Sequence, residues 1–249
     1  MKIKKALSII LLIISIFSIS ACSIAFSSED AQALNKITEN NIITASVKVV
    51  SLGNRDFLSG KYEASQGSGV IFKKESGEDE STYYLLTNNH VIYGNKNGYL
   101  IYDCFGNEIK AYLVNQAYDA NYDLAVLKFN SPNEYTVLPI SLEDEKIGSK
   151  IIAIGNPNGK FNSITMGKVQ GYTKITLSGT SEDESNVSFD CLEHSAPINS
   201  GSSGGFLINY NFEICGINFA CDRLEDGVFV ASFAVQSTKI LEFLQNHNL

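Results

Sequence analysis

Short apolar or alternating runs recur along the chain from about residue 42 onward, and Gly, Asn and Asp residues separate them. Alternation of apolar and polar residues predicts a half-buried strand, and a short apolar run between turn residues predicts a buried one. The predicted strands are 44–52, 69–72, 83–87, 98–102, 108–115, 125–129, 150–154, 167–173, 187–192, 206–208, 213–219 and 228–231.

About a dozen strands of this kind indicate an all-β fold, either a sandwich or a pair of barrels. The pattern contains no long amphipathic helices between strands, which argues against a βαβ fold. One closing helix is predicted at 237–247, where Ser237 is a favourable N-cap and apolar residues follow at helical spacing.

The segment 131–146 is the predicted linker between two halves of the fold. It contains Pro132, Pro139 and an acidic run, which together are typical of a connection. This divides the predicted domain, residues 41–249, into an N-terminal barrel at about 41–130 and a C-terminal barrel at about 147–235.

The N-terminus has the pattern of an export signal. Three lysines among the first five residues precede the apolar stretch 6–19, which is short for a membrane span. Residues 19–22, Ile-Ser-Ala-Cys, resemble the lipobox of bacterial lipoproteins, in which residues 1–21 would be removed and Cys22 lipidated. The alternative is an ordinary secretory signal cut near Ala21. The polar segment 22–40 is then a tether with one weakly helical stretch.

This interpretation predicts an exported bacterial protein, anchored to the extracytoplasmic face of the cell membrane through the lipid on Cys22. The formal charge is −8, and without the three lysines of residues 1–21 it becomes −11. Such an acidic chain lacks the basic surface that nucleic acids require, so no nucleic-acid partner is expected. The acidic runs 78–80, 143–145 and 182–184 are interpreted as solvated loops.

Four further cysteines follow Cys22 in the sequence. An exported protein can form disulfides, and four cysteines allow three connectivities, but buried free thiols are the alternative. No CxxC spacing occurs, so a zinc site is not expected. No cofactor is expected for the predicted function. The four are Cys104, Cys191, Cys215 and Cys221.

The run 199–207, Asn-Ser-Gly-Ser-Ser-Gly-Gly-Phe-Leu, carries candidate chemistry. A tight glycine-rich turn can present the hydroxyl of Ser203 while backbone N–H groups, here those of Gly201 and Ser203, converge beside it. Acyl-transfer enzymes need this arrangement, because an oxyanion must be stabilised next to the nucleophile. Taken alone, however, such a run is also typical of an ordinary loop.

Two upstream residues complete a possible catalytic set. His90 ends an apolar strand, and Asp123 stands at the start of another. A serine hydroxyl needs an adjacent base, histidine has a suitable pKa, and an aspartate can orient the imidazole and stabilise its charged form. Taken singly, His90 could cap a strand end and Asp123 could be a turn residue.

Several segments together resemble the trypsin-like serine proteases, and the bacterial HtrA/Deg branch is the most similar. The resemblance implies two six-stranded antiparallel β-barrels with the active cleft between them. It implies His90 as base, Asp123 as the residue that orients it and Ser203 as nucleophile. The similarity extends from about residue 47 to 234 and rests on 67–72, 87–91, 123–129, 154–159, 165–167, 199–207 and 214–218.

By the same resemblance, Ile198, Ala220 and Cys221 line the pocket for the residue before the cleaved bond. These side chains are apolar and small to medium in size, which implies a preference for Val, Ala or Leu rather than Arg or Lys. Asn218 stands where glutamate-specific relatives carry histidine, which disfavours that specificity. His194 is expected to lie outside the cleft, as a structural or surface residue.

The nucleophile run departs from the family pattern at three positions. Ser202 stands where trypsin has Asp and HtrA has Asn, Phe206 where trypsin usually has Pro, and Ser200 where HtrA-like enzymes often have Pro. These changes are expected to loosen the oxyanion loop. No PDZ domain is expected after the protease domain, so PDZ-dependent regulation is not carried over.

The predicted function is that of a serine endopeptidase acting on proteins or peptides through an acyl-enzyme. One alternative is a binding module on the protease scaffold with weak or no turnover, suggested by Ser202 and Phe206. Another is an esterase with the same three residues. The order along this chain is His, Asp, Ser, whereas the α/β-hydrolases have the order Ser, Asp, His, which argues against that class of esterase.

Overall fold

A computed structural model describes residues 27–55, 62–94, 97–157, 162–175 and 181–249. The predicted signal peptide and Cys22 lie outside these residues. The helices are α1 (Ser28–Glu39), a short 3-10 helix (Ile42–Ala45), α2 (Asn89–Ile92) and α3 (Ser237–Asn246). Within the described ranges, no helix combines the length and apolar character needed to cross a bilayer.

The strands form two closed barrels of six strands each. The first barrel contains β1 (Ser46–Arg55), β2 (Tyr62–Glu75), β3 (Ser81–Thr87), β4 (Tyr99–Tyr102), β5 (Glu108–Asp119) and β6 (Leu124–Ser131). The second barrel contains β7 (Lys150–Gly155), β8 (Ser163–Thr173), β9 (Cys191–His194), β10 (Phe206–Ile208), β11 (Ile214–Arg223) and β12 (Phe229–Gln236).

The two barrels have the same strand order. The first runs β1-β2-β3-β6-β5-β4 and the second β7-β8-β9-β12-β11-β10, and all hydrogen-bonded neighbours are antiparallel. Closure pairs the backbone of every strand on both sides, so neither sheet is left with an open edge. The prediction of an all-β fold with two six-stranded barrels and a C-terminal helix is confirmed.

Each barrel has its own apolar core, and a third apolar cluster lies between the barrels. Successive side chains of a strand point to opposite faces. Accordingly, Leu85 of β3 lies in the core of the first barrel, whereas its neighbour Leu86 belongs to the cluster shared with Ile154 and Phe206 of the second barrel. The candidate site therefore rests on an interface that is itself closely packed.

Part of the segment interpreted as a tether, 22–40, forms helix α1. Ala33 and Ile37 of this helix are buried in the cluster between the barrels. The Lys150 ammonium, on β7, lies 2.9 Å from an Asp30 carboxylate oxygen of the helix. Helix α1 is thereby attached to the second barrel before the chain enters β1 of the first.

The ninth strand differs from its prediction. The apolar pattern suggested 187–192, but β9 spans Cys191–His194, because the residues before it reach across to the first barrel instead of joining the sheet. The Asn186 N–H donates to the Ala120 carbonyl at 2.8 Å. A contact between barrels therefore displaces a strand that local pattern alone would begin earlier.

The predicted N-cap of the last helix is wrong. Gln236 occupies the N-cap of α3, and its side chain makes no capping hydrogen bond. Asp144, from the connection between the barrels, accepts from the Thr238 N–H at 3.0 Å and from the Thr238 hydroxyl at 2.7 Å. Because this carboxylate accepts from a backbone N–H of the first helical turn, the Ser237 hydroxyl is free to donate to the Glu143 carbonyl instead.

Candidate active site

His90 and Asp123 are in direct contact in the first barrel. His90 lies on α2, just after β3, and its Nδ1 is 2.7 Å from Asp123 Oδ2, while its backbone N–H donates to Oδ1 at 2.9 Å. The Asp123 side chain is fully buried, whereas the imidazole is 21 % exposed. Because a carboxylate only accepts, Nδ1 must be the donor. The neutral ring then keeps Nε2 as its proton acceptor.

The backbone around Asp123 is shaped to present this carboxylate. Asp123 has a φ of 50°, a left-handed conformation that aspartate tolerates better than most residues. The Asn88 side-chain amide donates to the Asp123 carbonyl at 2.8 Å, and the Asp123 N–H donates to the Ala120 carbonyl at 3.2 Å. These bonds tie the turn before β6 to the residues that begin α2.

Ser203 follows a tight turn in the second barrel. The Ser202 N–H donates to the Asn199 carbonyl at 2.9 Å, and Gly201 has a φ of 89°. A positive φ at the third residue of a turn favours glycine, which explains Gly201 at this position. Ser202 is buried, and its hydroxyl accepts from the Asn199 N–H at 3.3 Å. The residue expected to loosen the turn therefore helps to close it.

Phe206 was also expected to loosen the loop, and its position shows how the chain accommodates it. Phe206 is fully buried, begins β10 and pairs with Ile154 on β7 and Ile217 on β11. The aromatic side chain belongs to the cluster between the barrels. The loop is thus followed at once by a strand fixed on both sides.

Some backbone N–H groups of the turn are already hydrogen-bonded within the described residues, and others are not. The Gly204 N–H donates to the Asn218 carbonyl at 2.9 Å, and the Gly205 N–H donates to the Ser202 carbonyl at 2.8 Å. The N–H groups of Gly201 and Ser203, by contrast, donate to no group among the described residues. These are the two donors that the sequence suggested for an oxyanion hole, and uncommitted donors are what such a hole requires.

The turn that carries Ser203 packs against β2, the strand next to α2. A methyl group on Gly67 would lie 2.7 Å from Val91 Cγ2 and 2.8 Å from the Ser203 carbonyl oxygen. Gly67 therefore allows Ser203 and the residue after His90 to approach the same point of β2. Within the described residues no hydrogen bond joins Ser203 to His90, whose two bonds go to Asp123.

The predicted pocket residues occupy two kinds of position. Ala220 and Cys221 lie on β11, are partly exposed and pair with Phe233 and Ser232 of β12. Ile198 is 6 % exposed and packs in the core of the second barrel. Two residues of the set are therefore accessible from solvent, and the third is buried.

Arg223 is a residue of this region that sequence reasoning missed. Its Nη2 donates to the Ile198 carbonyl at 2.9 Å and to Asn199 Oδ1 at 2.6 Å, which holds the chain just before the turn. Its guanidinium also lies over the Phe229 ring, 5.8 Å from the centroid. An arginine at the end of a strand is commonplace in a sequence, so no pattern distinguished it.

His194 is a buried structural residue. It is fully buried, and its Nε2 lies 3.0 Å from Asn218 Oδ1. Burial lowers the pKa of His194 to about 4. Because the Asn218 backbone is hydrogen-bonded to Gly204 and Gly205, His194 supports the strand on which the nucleophile turn rests.

The four cysteines of the described residues are free thiols. Cys191 and Cys215 are buried, in agreement with the alternative of buried thiols. Burial raises the pKa of Cys191 to about 12 and that of Cys104 to about 11. These two thiols are therefore protonated at neutral pH and are poor nucleophiles.

Comparison with known proteins identifies the family of the chain. Residues 67–217 match the family of trypsin-like peptidase domains. The serine protease Do-like HtrA of Bacillus subtilis is 34% identical over 230 residues, which cover 87% of this chain and 49% of that protein. The periplasmic serine endoprotease DegP of Escherichia coli is 31% identical over 70% of this chain and 34% of that protein. The chain thus spans about half the length of these relatives or less.

The fold is also similar to solved structures. An HtrA-type protease solved with a tripeptide has a TM-score of 0.68 and 28% identity, over 86% of this chain and 62% of that one. The active form of a protease from M. tuberculosis has a TM-score of 0.66 and 24% identity, over 86% and 85% of the two chains. By its sequence match and its fold, this chain belongs to the family of trypsin-like peptidase domains.

Proposed function

We propose that this chain is a serine endopeptidase that cleaves peptide bonds in proteins or peptides through an acyl-enzyme on Ser203. The observation that carries the proposal is the pairing of His90 with a fully buried Asp123, beside a turn that presents a serine and two free N–H groups. The family match supports it, as do relatives named as serine proteases and a related structure that holds a tripeptide.

In the proposed reaction, Ser203 Oγ attacks the substrate carbonyl carbon and its proton passes to His90 Nε2. Asp123 keeps Nδ1 protonated and stabilises the imidazolium that forms. The negative charge on the carbonyl oxygen is stabilised by the N–H groups of Gly201 and Ser203. His90 then gives the proton to the leaving amine, and a water molecule activated by His90 hydrolyses the acyl-enzyme in the same manner.

The proposed reaction requires Ser203 Oγ to come within hydrogen-bond reach of His90 Nε2. Val91, the residue after His90, and the Ser203 carbonyl both lie beside Gly67, so the two chain segments are neighbours. Catalytic hydrogen bonds of this type commonly tighten only when substrate is bound. The proposal therefore places the nucleophile–base contact in the substrate complex.

For the substrate, we propose a small or medium apolar residue before the cleaved bond. Ala220 and Cys221 present no charge at the wall of the pocket, and Ile198 behind it is apolar. A pocket without a carboxylate gives Arg or Lys no partner, so burying their charge there would be costly. A library of peptides that differ at this single position would measure the preference directly.

For its location, we propose an exported protein held at the extracytoplasmic face of the bacterial membrane by a lipid on Cys22. The relatives in Escherichia coli and Haemophilus influenzae are named as periplasmic. The residues of the anchor itself are argued from the lipobox-like run 19–22 alone. Labelling cells with a radioactive fatty acid should mark the wild type and leave Cys22→Ser unlabelled.

The function is tested with a fluorophosphonate probe, which forms a covalent bond with an activated serine. We expect the folded protein to be labelled and Ser203→Ala to be unlabelled, with cleavage of a peptide library lost by about 10⁴-fold or more. Ser200→Ala is the matched control, since Ser200 is an exposed serine of the same loop, and it should label normally.

Two outcomes would contradict the proposal. A folded wild-type protein that neither reacts with the probe nor cleaves any peptide would favour a binding module on this scaffold. Hydrolysis of p-nitrophenyl esters without hydrolysis of any peptide would favour an esterase.

A further inference from the structure

Ser68 is a buried serine of β2 that is hydrogen-bonded to the turn that carries Ser203. It is fully buried between Gly67 and Gly69. Its N–H donates to the Ser203 carbonyl at 2.7 Å, and its hydroxyl donates to the Gly201 carbonyl at 2.8 Å. Two bonds of the second barrel's turn therefore end on one residue of the first barrel.

The remaining groups of Ser68 are also engaged. Its hydroxyl oxygen accepts from the Asn156 N–H at 2.8 Å, and its carbonyl accepts from the Thr87 hydroxyl at 2.8 Å. Thr87 is the last residue of β3, three positions before His90. A serine with every polar group satisfied by a neighbour has one position and one rotamer available to it.

The bond from Ser68 to the Gly201 carbonyl fixes a peptide plane. The Gly201 carbonyl and the Ser202 N–H belong to the same planar unit. The carbonyl is held by Ser68, and the N–H is held by the Asn199 carbonyl at 2.9 Å. The plane therefore cannot rotate without breaking hydrogen bonds at both of its ends.

The following peptide units are held in the same way. The Ser203 carbonyl accepts from the Ser68 N–H, and the Gly204 N–H donates to the Asn218 carbonyl. A methyl group on Gly204 would overlap the Ser68 carbonyl oxygen, so the two backbones are in direct contact. The peptide plane of the Ser203 N–H is thus bordered on each side by a fixed plane, and the plane of the Gly201 N–H is followed by a fixed one.

We propose that Ser68 is a positioning residue that orients the two oxyanion donors, Gly201 and Ser203, before substrate binds. This rests on the proposed endopeptidase function. Ser68 has no exposed surface with which to touch substrate, so it acts through the turn. The oxyanion hole of this chain is therefore formed in the resting protein.

The test compares Ser68→Ala with Ser51→Ala. Ser51 is the matched control because it is a fully buried serine of the same barrel, on β1, and its hydroxyl has no partner among the described residues. Losing one oxyanion donor typically costs about 10²–10³-fold in kcat, and Ser68→Ala disorders two donors without deleting either. We expect kcat to fall about 10–100-fold with KM within about twofold, and Ser51→Ala to behave as wild type.

A transition-state analogue separates positioning from general damage. A peptide aldehyde forms a tetrahedral adduct that needs the oxyanion donors, so its affinity for Ser68→Ala should fall by the same factor as kcat. If KM rises while kcat and thermal stability both fall, the role of Ser68 is merely structural. If Ser68→Ala does not fold, Ser68→Cys, which keeps the size and a weaker donor, is used with the same expectations.

Hydrogen exchange supplies a measurement that does not depend on turnover. The amides of the segment 199–205 should exchange faster in Ser68→Ala than in the wild type and in Ser51→Ala. If the wild type shows no probe labelling and no cleavage, the proposed function fails, and exchange alone then decides whether Ser68 holds the turn. The proposal would be overturned if the amides of this segment exchange in Ser68→Ala at the wild-type rate. It would also be overturned if folded Ser68→Ala has the wild-type kcat.

Discussion

The two barrels share one strand order, yet they hold their parts of the candidate site by different means. The first barrel contributes a pair of side chains, His90 and Asp123, that contact each other directly. The second contributes backbone N–H groups and a hydroxyl on a turn whose peptide planes are held partly by Ser68 of the other barrel. In the proposed reaction, the acid–base half therefore depends on side-chain chemistry, and the nucleophile half depends on backbone geometry.

The largest effect should come from changing the charge of the side-chain pair. Asp123→Asn keeps the shape of the side chain but cannot stabilise a charged imidazole, and it favours the wrong tautomer of His90. We expect kcat to fall by about 10³–10⁴-fold with little change in the fold. Kinetics on the best peptide of the library, together with thermal unfolding, would measure both effects.

Asp103→Asn is the matched control for this change. Asp103 is a buried carboxylate of the same barrel that accepts from the Tyr135 hydroxyl at 2.6 Å. We expect it to lose stability and to keep its turnover per folded molecule. A kcat for Asp123→Asn within about threefold of wild type would refute the division of roles, because orientation and charge stabilisation contribute far more than that.

A smaller effect is expected from changing the backbone of the turn. Gly201→Ala places a side chain at a φ of 89°, which costs about 1–2 kcal/mol and is relieved if the peptide rotates. Rotation moves the Gly201 N–H, so kcat should fall about 10–100-fold with KM almost unchanged. Gly148→Ala is the control, since Gly148 has a φ of 91° and no heavy atom within 4 Å of the new methyl group. Equal kinetics for the two variants would count against a fixed oxyanion turn.

The smallest effect on turnover is expected at His194, where the change concerns the stability of the second barrel. His194 has a pKa of about 4 in the folded chain and about 6.5 when unfolded, so between these values the unfolded chain binds more protons. The free energy of unfolding should fall by up to about 3 kcal/mol as the pH drops from 6.5 to 4. His194→Gln removes this contribution, and urea unfolding at pH 5 and pH 7 should show a weaker pH dependence. An unchanged dependence would show that His194 does not cause the loss.

Much of the fold was predictable because apolar runs between turn residues determine where its strands lie. The predicted strand 206–208 matches β10, and 150–154 differs from β7 by one residue, since both are continuous apolar runs between turn residues. The candidate site was also visible in the sequence, because a glycine-rich turn, a histidine and an aspartate each end or begin such a run. Motifs of this kind bring their own local geometry.

The remainder depends on contacts between distant segments. The N-cap of α3 is wrong in the sequence prediction because Asp144, about ninety positions earlier, satisfies the helix start. The beginning of β9 is displaced because Asn186 bonds to the first barrel. Ser68 lies in the segment 67–72, which contributes to the resemblance only as a whole, and nothing local indicates that its hydroxyl meets Gly201, 133 positions away.

Helix α1 has a mechanical consequence for whatever precedes it. Its first turn is fastened to the second barrel, where Lys150 Nζ lies 3.0 Å from Ser27 Oγ and the Tyr210 hydroxyl donates to Asp30 at 2.7 Å. A pulling force on the chain before Ser27 is therefore transmitted first to the second barrel, and not to β1. The contacts of helix α1 therefore bear tension on the N-terminus before it reaches β1, the first strand of the barrel that carries His90 and Asp123.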